Sequence, residues 1–238
     1  MRTSFCLLLV AAAALADSRS ADAALFQAMR QYHGVLRSGG HTGIDSVRDL
    51  VVANLKEASP KYRKSILNQL DQGFQKKYGE RDIHFYKCLA QGMAAGGSQG
   101  IAKVYRRYKS SLKKEAICIA IAEALGECGD DEALSTLLKI CYDKRPDVSC
   151  VAAAMCGNYA KVKAKERKAT MRKLVDLYTK ISSDAAGKDR DDPKMQMYLK
   201  MKPAFDKTLS GFSGGQSLDS AQAWDAWLRE NITRDWDE

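Results

Sequence analysis

Two residues with metal-binding side chains stand one helical turn apart before the middle of the chain. His84 and Cys88 have the i, i+4 spacing that places two side chains on one face of a helix. Imidazole nitrogen and thiolate sulfur are both zinc ligands, so this pair is half of a metal site. No carboxylate or second histidine in the neighbouring sequence has a spacing that completes it. The pair is also typical of a surface or partly packed contact, and we predict no metal site.

The other groups of residues that could do chemistry lack an essential part. The pairs Gly39-Gly40 and Gly96-Gly97 belong to neither of the glycine patterns that bind phosphates. The acidic run 189–192 lacks the spacing of a calcium loop that ends in glutamate. The stretch 211–215 is not a nucleophile elbow, because no serine is centred between glycines after a strand. We therefore predict no catalytic or cofactor-binding residue, no cofactor and no enzymatic activity.

Two basic clusters are the strongest remaining candidates for a binding surface. The first is predicted to contact an anionic partner and contains Lys103, Arg106, Arg107, Lys109, Lys113 and Lys114. The second contains Lys161, Lys163, Lys165, Arg167, Lys168, Arg172 and Lys173. Basic side chains on one side of a helical array attract acidic proteins or polymers. The alternative is that both clusters are ordinary solvated helix faces.

The N-terminus predicts export. One positive charge at Arg2 precedes an apolar run, and Ala14-Leu15-Ala16 fits the small-x-small rule for signal-peptide cleavage near Ala16. This run is shorter than the roughly 20 residues that a membrane span requires. We expect a soluble periplasmic or extracellular protein without a transmembrane segment. Its net charge of +9 becomes +8 when Arg2 is removed, and export makes nucleic acid an unexpected partner.

The elements that carry these residues follow an internal repeat. Few prolines and many Ala, Leu, Lys and Glu residues predict an all-α protein. The segment 88–105 matches 121–138 at a shift of 33 residues, and a third copy opens at Pro146. In the second copy, an apolar stripe ends at Gly129, and Asp130 or Asp131 can cap the following helix. Helix pairs of this kind bury their apolar stripes by stacking on one another.

Residues 113–159 resemble consecutive HEAT repeats. The sequence Glu123-Ala124-Leu125-Gly126, then Gly129-Asp130, then Ala133-Leu134 through Leu138 follows the HEAT pattern in order. The resemblance implies a short right-handed α-solenoid of antiparallel helix pairs, of the HEAT-like or armadillo-like type. We divide the chain into a signal peptide at 1–16, an N-terminal segment and loop at 17–45, helical repeats at 46–200 and a C-terminal cap at 201–238.

The cap contains two tryptophans at i, i+3 spacing. Trp224 and Trp227 belong to a helix that resembles the tail of many exported bacterial HEAT proteins. Because the last repeat of a solenoid needs a covering element, we predict that they close its open end. The alternative is an aromatic platform for a ligand.

Six cysteines follow the predicted cleavage point. They are Cys88, Cys118, Cys128, Cys141, Cys150 and Cys156. In an exported protein they could form disulfides, and they could equally pack as small apolar residues. Cys128 with Cys156 is the favoured disulfide, because both lie at the ends of successive first helices of the repeat.

The predicted function is that of a non-enzymatic scaffold for protein–protein interaction, with an unidentified protein partner. This is the role that the HEAT resemblance implies for a chain without a catalytic constellation. The alternative is an envelope-associated binder of an anionic polymer or surface through its basic helix faces.

Overall fold

The computed structural model of this protein describes residues 2–39, 41–75, 82–109 and 114–236, with side chains from Ser18 onwards. Every regular element within these ranges is helical, which confirms the all-α prediction. The α-helices are α1 Arg2–Ser38, α2 Ile44–Asn54, α3 Pro60–Gln72, α4 Ile83–Ala94, α5 Ser98–Tyr108, α6 Glu115–Cys128, α7 Asp131–Ile140, α8 Pro146–Cys156, α9 Ala164–Ala185, α10 Pro193–Phe212 and α11 Ala221–Asn231. A short 3-10 turn, Gly157–Tyr159, follows α8.

The chain forms two compact units, residues 1–107 and 108–238. In the N-terminal unit, α1 packs against α2 and α3, and α4 packs against α2 and α3. Tyr32 of α1 is buried and its hydroxyl donates a hydrogen bond to the carbonyl of Leu70 at 3.2 Å. A Cβ at Gly73 would lie 2.2 Å from that hydroxyl and 2.5 Å from a methyl of Leu89. The close approach of α1 and α4 to the end of α3 therefore requires glycine at this position.

In the C-terminal unit, several helices contact the helix two places along the chain. Thus α8 packs against both α6 and α10, while α9 packs against α7 and α11. Helices α6 and α7 form one consecutive pair, and α9 and α10 form another. The apolar stripe predicted for α6 lies in the core, where Ile117, Ile121 and Leu125 are fully buried.

Local sequence signals set several helix ends as predicted. Gly129 has a left-handed φ of 74° and ends α6. Asp130 is the residue that caps α7, because its Oδ1 accepts a hydrogen bond from the Ala133 amide at 2.7 Å. Helix α8 begins at Pro146, where the third copy of the repeat was predicted to open.

The first copy of the repeat ends differently from the prediction. The 33-residue shift aligns Gly96 with Gly129, but the left-handed glycine is Gly97, with φ 102°. Gly96 is required for another reason, because a Cβ there would lie 2.9 Å from both methyl groups of Leu67. Gly97 therefore provides the left-handed turn, and Gly96 provides space for Leu67. The alignment of the repeats assigned the turn to Gly96.

The C-terminal end of α6 is completed by residues that follow α8. The hydroxyl of Tyr159 donates to the carbonyl of Leu125 at 2.5 Å and accepts a hydrogen bond from the Gly129 amide at 3.2 Å. The side-chain amide of Asn158 donates to the carbonyl of Gly126 at 3.1 Å. These bonds satisfy backbone groups that a helix leaves unpaired at its end.

The N-terminal region is more helical than the sequence indicates. Helix α1 occupies most of the range 17–45, for which the sequence predicts a segment and a loop. The side chains of the predicted signal peptide and its cleavage point near Ala16 lie outside the described residues. None of the helices searched within the described ranges is both long enough and apolar enough to span a membrane.

One predicted domain boundary lies within a helix. The predicted boundary between residues 200 and 201 falls inside α10, whereas the helix contacts divide the chain after residue 107. The N-cap position of α2 is Gly43, with φ 90°. Asp45 lies in the first turn of α2, where its carboxylate is available for the contacts described next.

Candidate functional site

Three side chains with metal-binding atoms meet between α2 and α4. Helix α4 begins after Asp82, whose Oδ1 accepts a hydrogen bond from the Phe85 amide at 2.9 Å. This start places His84 in the first turn of α4 and Cys88 one turn later, both facing Asp45 of α2. The missing carboxylate of the sequence pattern is therefore supplied by a residue 39 positions earlier in the chain.

The reactive atoms of these residues converge. His84 Nε2 lies 2.9 Å from Asp45 Oδ2 and 3.7 Å from Cys88 Sγ. The Cys88 thiol lies 3.7 Å from Asp45 Oδ1. About half of the side-chain surface of His84 and of Asp45 is exposed, at 52% each, whereas Cys88 is buried at 2%. The cluster, which we call the Asp45–His84–Cys88 site, thus opens to solvent on its histidine and aspartate side.

Arg48 is the nearest cationic side chain to this site. Its Nη1 lies 3.0 Å from Asp45 Oδ1 and 3.7 Å from Cys88 Sγ. Its Nε and Nη2 each lie 2.9 Å from Oδ1 of Asp49. Asp49 therefore holds the guanidinium of Arg48, which contacts Asp45 through Oδ1.

Hydrogen bonding lowers the pKa of Asp45, whereas burial raises the pKa of Cys88. The hydrogen bond from His84 lowers the pKa of Asp45, and the charges of His84 and Arg48 add to this effect against some desolvation. Burial raises the pKa of Cys88 to about 11, with the Asp45 carboxylate contributing. At neutral pH, Asp45 is ionised and Cys88 is a thiol.

The arrangement differs from a nucleophilic triad. In a triad, one ring nitrogen of histidine faces the nucleophile while the other is oriented by a carboxylate. Here Nε2 of His84 faces both Asp45 and Cys88. A nucleophilic cysteine also requires a lowered pKa, and that of Cys88 is raised. The geometry instead directs three ligand atoms toward one point.

His41 stands near this site with a separate partner. Its Nε2 lies 3.5 Å from Asp82 Oδ2, and its ring contacts Phe85 edge-on at a centroid distance of 6.2 Å. His33 makes a 2.9 Å hydrogen bond with Gln69. Of the three histidines, only His84 joins a cluster of three metal-binding groups among the described residues.

The first basic cluster is not one exposed patch. Lys103, Arg106 and Lys109 are exposed. Arg107 is neutralised by Asp71 through two parallel 3.0 Å hydrogen bonds. Lys114 is buried at 8%, which corrects its prediction as a partner contact, and Lys113 lies outside the described residues. The cluster also crosses the division between the two units after Arg107.

Part of the second basic cluster binds the C-terminal segment. Arg167 donates to the carbonyl of Trp236, and Lys168 donates to the carbonyl of Arg234. The Lys168 ammonium lies 5.5 Å from the centre of the Trp236 ring. Arg167 and Lys168 therefore stabilise the fold through their contacts with the C-terminal segment.

The cysteines from Cys88 to Cys156 are all free thiols in this structure. The sulfur next to Cys156 belongs to Cys141, 4.0 Å away, and not to Cys128 as predicted. The Cys128 thiol donates to the Ala124 carbonyl at 3.4 Å. Cys141 and Cys156 are buried, and their mutual contact together with desolvation raises the pKa of Cys141. Of the two interpretations of these cysteines, packing in the core describes Cys118, Cys141 and Cys156.

A groove in the N-terminal unit combines an apolar floor with basic edges. Its volume is about 340 Å³, and α3, α4 and α5 contribute to its lining. Leu67 and Met93 supply apolar surface, while Lys64 and Lys103 are exposed at its edges. Gly100 of α5 also lines the groove, and a Cβ there would lie 3.4 Å from the terminal methyl of Met93. We call this feature the α3–α5 groove.

No family model matches this chain, and neither the curated proteins nor the solved structures contain a detectable relative.

Proposed function

We propose that this protein is an exported, non-enzymatic scaffold built as a short right-handed α-solenoid of the HEAT type. The packing within the C-terminal unit supports the proposal, because α8 lies against α6 and α10 while α9 lies against α7 and α11. Contacts between alternate helices are what two stacked layers of helix pairs require. Further support from the repeat is that α7 is capped at Asp130, one of the two residues predicted for this role, and that α8 begins at Pro146.

The α3–α5 groove is the surface that best suits a protein partner. Its apolar floor offers Leu67 and Met93, and its exposed edges carry Lys64 and Lys103. A partner segment that presents apolar side chains flanked by carboxylates would complement both features. Because grooves between helices commonly accept an amphipathic helix or an extended segment, we assign this one as the binding surface.

Photocrosslinking from inside the groove tests this assignment. A photoreactive amino acid at Asn68, which lines the groove and is exposed, should capture a protein from the native extracellular fraction. The same label at Lys180, an exposed residue of α9, serves as the matched control and should not capture it. Equal adducts from both positions, or turnover of a substrate without a captured partner, would contradict the scaffold proposal.

Charge reversal at the groove edges should weaken the captured complex. We expect the double substitution Lys64→Glu and Lys103→Glu to lower affinity at least about tenfold, because it turns attraction into repulsion at both edges. The matched control is Lys180→Glu with Lys188→Glu, which changes net charge equally at exposed sites outside the groove. Titration calorimetry with the purified partner measures both. Equal losses in the two variants would assign the effect to net charge and remove the groove from the proposal.

A second candidate function is binding of an anionic polymer or surface through α5. Arg106 is exposed and, within the described residues, forms no ion pair. We expect Arg106→Glu to elute from a sulfated polysaccharide column at lower salt than the unmodified protein, since such binding is screened by salt. Lys180→Glu is the control of equal charge change. If both variants elute alike, retention reflects overall charge, and α5 is not a polymer-binding face.

A further inference from the structure

We propose that Asp45, His84 and Cys88 bind one Zn²⁺-class divalent metal ion that joins α2 to α4. His84 and Cys88 lie on α4, and Asp45 lies on α2, 39 positions before His84, so only the packing of α2 on α4 brings the three together. This inference is independent of the scaffold function, because it depends on side chains outside the α3–α5 groove.

The distances between the ligand atoms are close to those of tetrahedral coordination. With Zn²⁺ bonds to nitrogen, oxygen and sulfur of about 2.0–2.3 Å, neighbouring ligand atoms stand about 3.3–3.6 Å apart. The distance from His84 Nε2 to Cys88 Sγ is 3.7 Å. Cys88 Sγ also lies 3.7 Å from Asp45 Oδ1, and the three ligand atoms all lie within 4.8 Å of one another. The nitrogen-to-oxygen distance is 2.9 Å, the length of the hydrogen bond that a metal would replace. The side chains of His84 and Asp45 are half-exposed, and moving them apart by about half an ångström would give the spacing of zinc ligands.

The ligand set selects the kind of metal. A thiolate and an imidazole together favour zinc and similar transition metals over Mg²⁺ and Ca²⁺, which prefer oxygen ligands. Three protein ligands leave a fourth position, and solvent reaches the site from the side of His84 and Asp45. Zinc with three protein ligands and one water is a common coordination in proteins.

The surrounding charges suit a dication once the thiol has lost its proton. Asp45, Asp49 and the Cys88 thiolate then provide three negative charges against the metal and Arg48. Arg48 hydrogen-bonds Oδ1 of Asp45, so Oδ2 remains for the metal and the guanidinium orients the carboxylate from outside the coordination shell. The proton of Cys88 leaves to solvent when the metal–sulfur bond forms, and no electron is transferred.

Cobalt titration provides a direct test, because Co²⁺ substitutes for Zn²⁺ and reports its ligands by colour. The full chain, reduced and freed of metal by chelation, should bind one equivalent of Co²⁺. The product should show a sulfur-to-cobalt charge-transfer band in the near ultraviolet and the intense visible bands of tetrahedral cobalt. Zn²⁺ should displace the cobalt and abolish both.

Two variants test the ligands individually. Cys88→Ser should abolish the sulfur band, and His84→Gln should weaken Zn²⁺ binding more than about 100-fold, since loss of an outer partner alone costs about 10- to 100-fold. Cys150→Ser and His41→Gln are the matched controls, and both should retain the spectrum and affinity of the unmodified protein. Because His84 is exposed, His84→Gln should still fold. This variant therefore tests the metal site even if Cys88→Ser does not fold.

Three results would overturn the proposal. They are no cobalt uptake by the unmodified protein, a cobalt spectrum without the sulfur band, and an unchanged spectrum in His84→Gln.

Discussion

Arg145→Met is expected to lower the free energy of unfolding of the C-terminal unit by about 3–5 kcal/mol, because it leaves a buried carboxylate without its cation. Arg145 and Asp143 are each 4% exposed. The guanidinium Nε lies 2.7 Å from Asp143 Oδ1, and Nη2 lies 2.5 Å from Oδ2. The same Nη2 reaches Cys118 Sγ at 3.1 Å and the Lys109 carbonyl at 3.4 Å. Urea denaturation followed by circular dichroism measures the loss.

The double substitution Arg145→Met with Asp143→Leu should recover much of that stability. Removing both partners eliminates the unpaired charge, and apolar replacements of a buried ion pair are often neutral. Arg229→Met is the exposed control, since Arg229 pairs with Asp225 on the surface of α11 and should cost less than about 1 kcal/mol. If Arg145→Met costs no more than Arg229→Met, the buried pair does not stabilise the fold.

Trp224→Ala is expected to lower the free energy of unfolding of the C-terminal unit by about 3–5 kcal/mol. Trp224 is fully buried in α11, which packs against α9. Its removal leaves a large cavity at the last helix of the chain. Thermal or urea denaturation provides the measurement, and a loss below about 1 kcal/mol would show that α11 does not close the core.

The tryptophans of α11 provide their own controls. The indole N–H of Trp224 has no hydrogen-bond partner among the described residues, so Trp224→Phe should cost far less than Trp224→Ala. Trp227 is half-buried and contacts Trp224 and Trp236 at ring-centre distances of 6.3 and 5.8 Å. Trp227→Ala should therefore be intermediate. If Trp227→Ala instead left stability unchanged and abolished binding of a ligand, the aromatic platform would be the correct alternative.

The sequence predicts those features that depend on neighbouring residues. The Asp130 cap, the end of α6 at Gly129 and the start of α8 at Pro146 all follow from contacts within one turn of chain. A capping bond, a left-handed glycine and a proline in the first turn act locally. These positions were predictable because no distant residue has to be known.

The sequence indicates only two of the three residues of the Asp45–His84–Cys88 site. The i, i+4 spacing of His84 and Cys88 is a property of one helix, but the position of Asp45 depends on the packing of α2 against α4. The same difficulty applies to Lys114, which has the sequence surroundings of an exposed lysine and is buried. Burial and convergence are set by the tertiary contacts of the chain.

Tyr159 and Asn158 impose an order on folding during synthesis. The carbonyls of Leu125 and Gly126 receive their hydrogen bonds from side chains more than 30 positions later in the chain. A nascent chain that has emerged from the ribosome only as far as α7 therefore has an α6 whose last turn is held by water. That turn is fixed when residues 158 and 159 arrive. Translation thus completes the last turn of α6 only after α8 has been made.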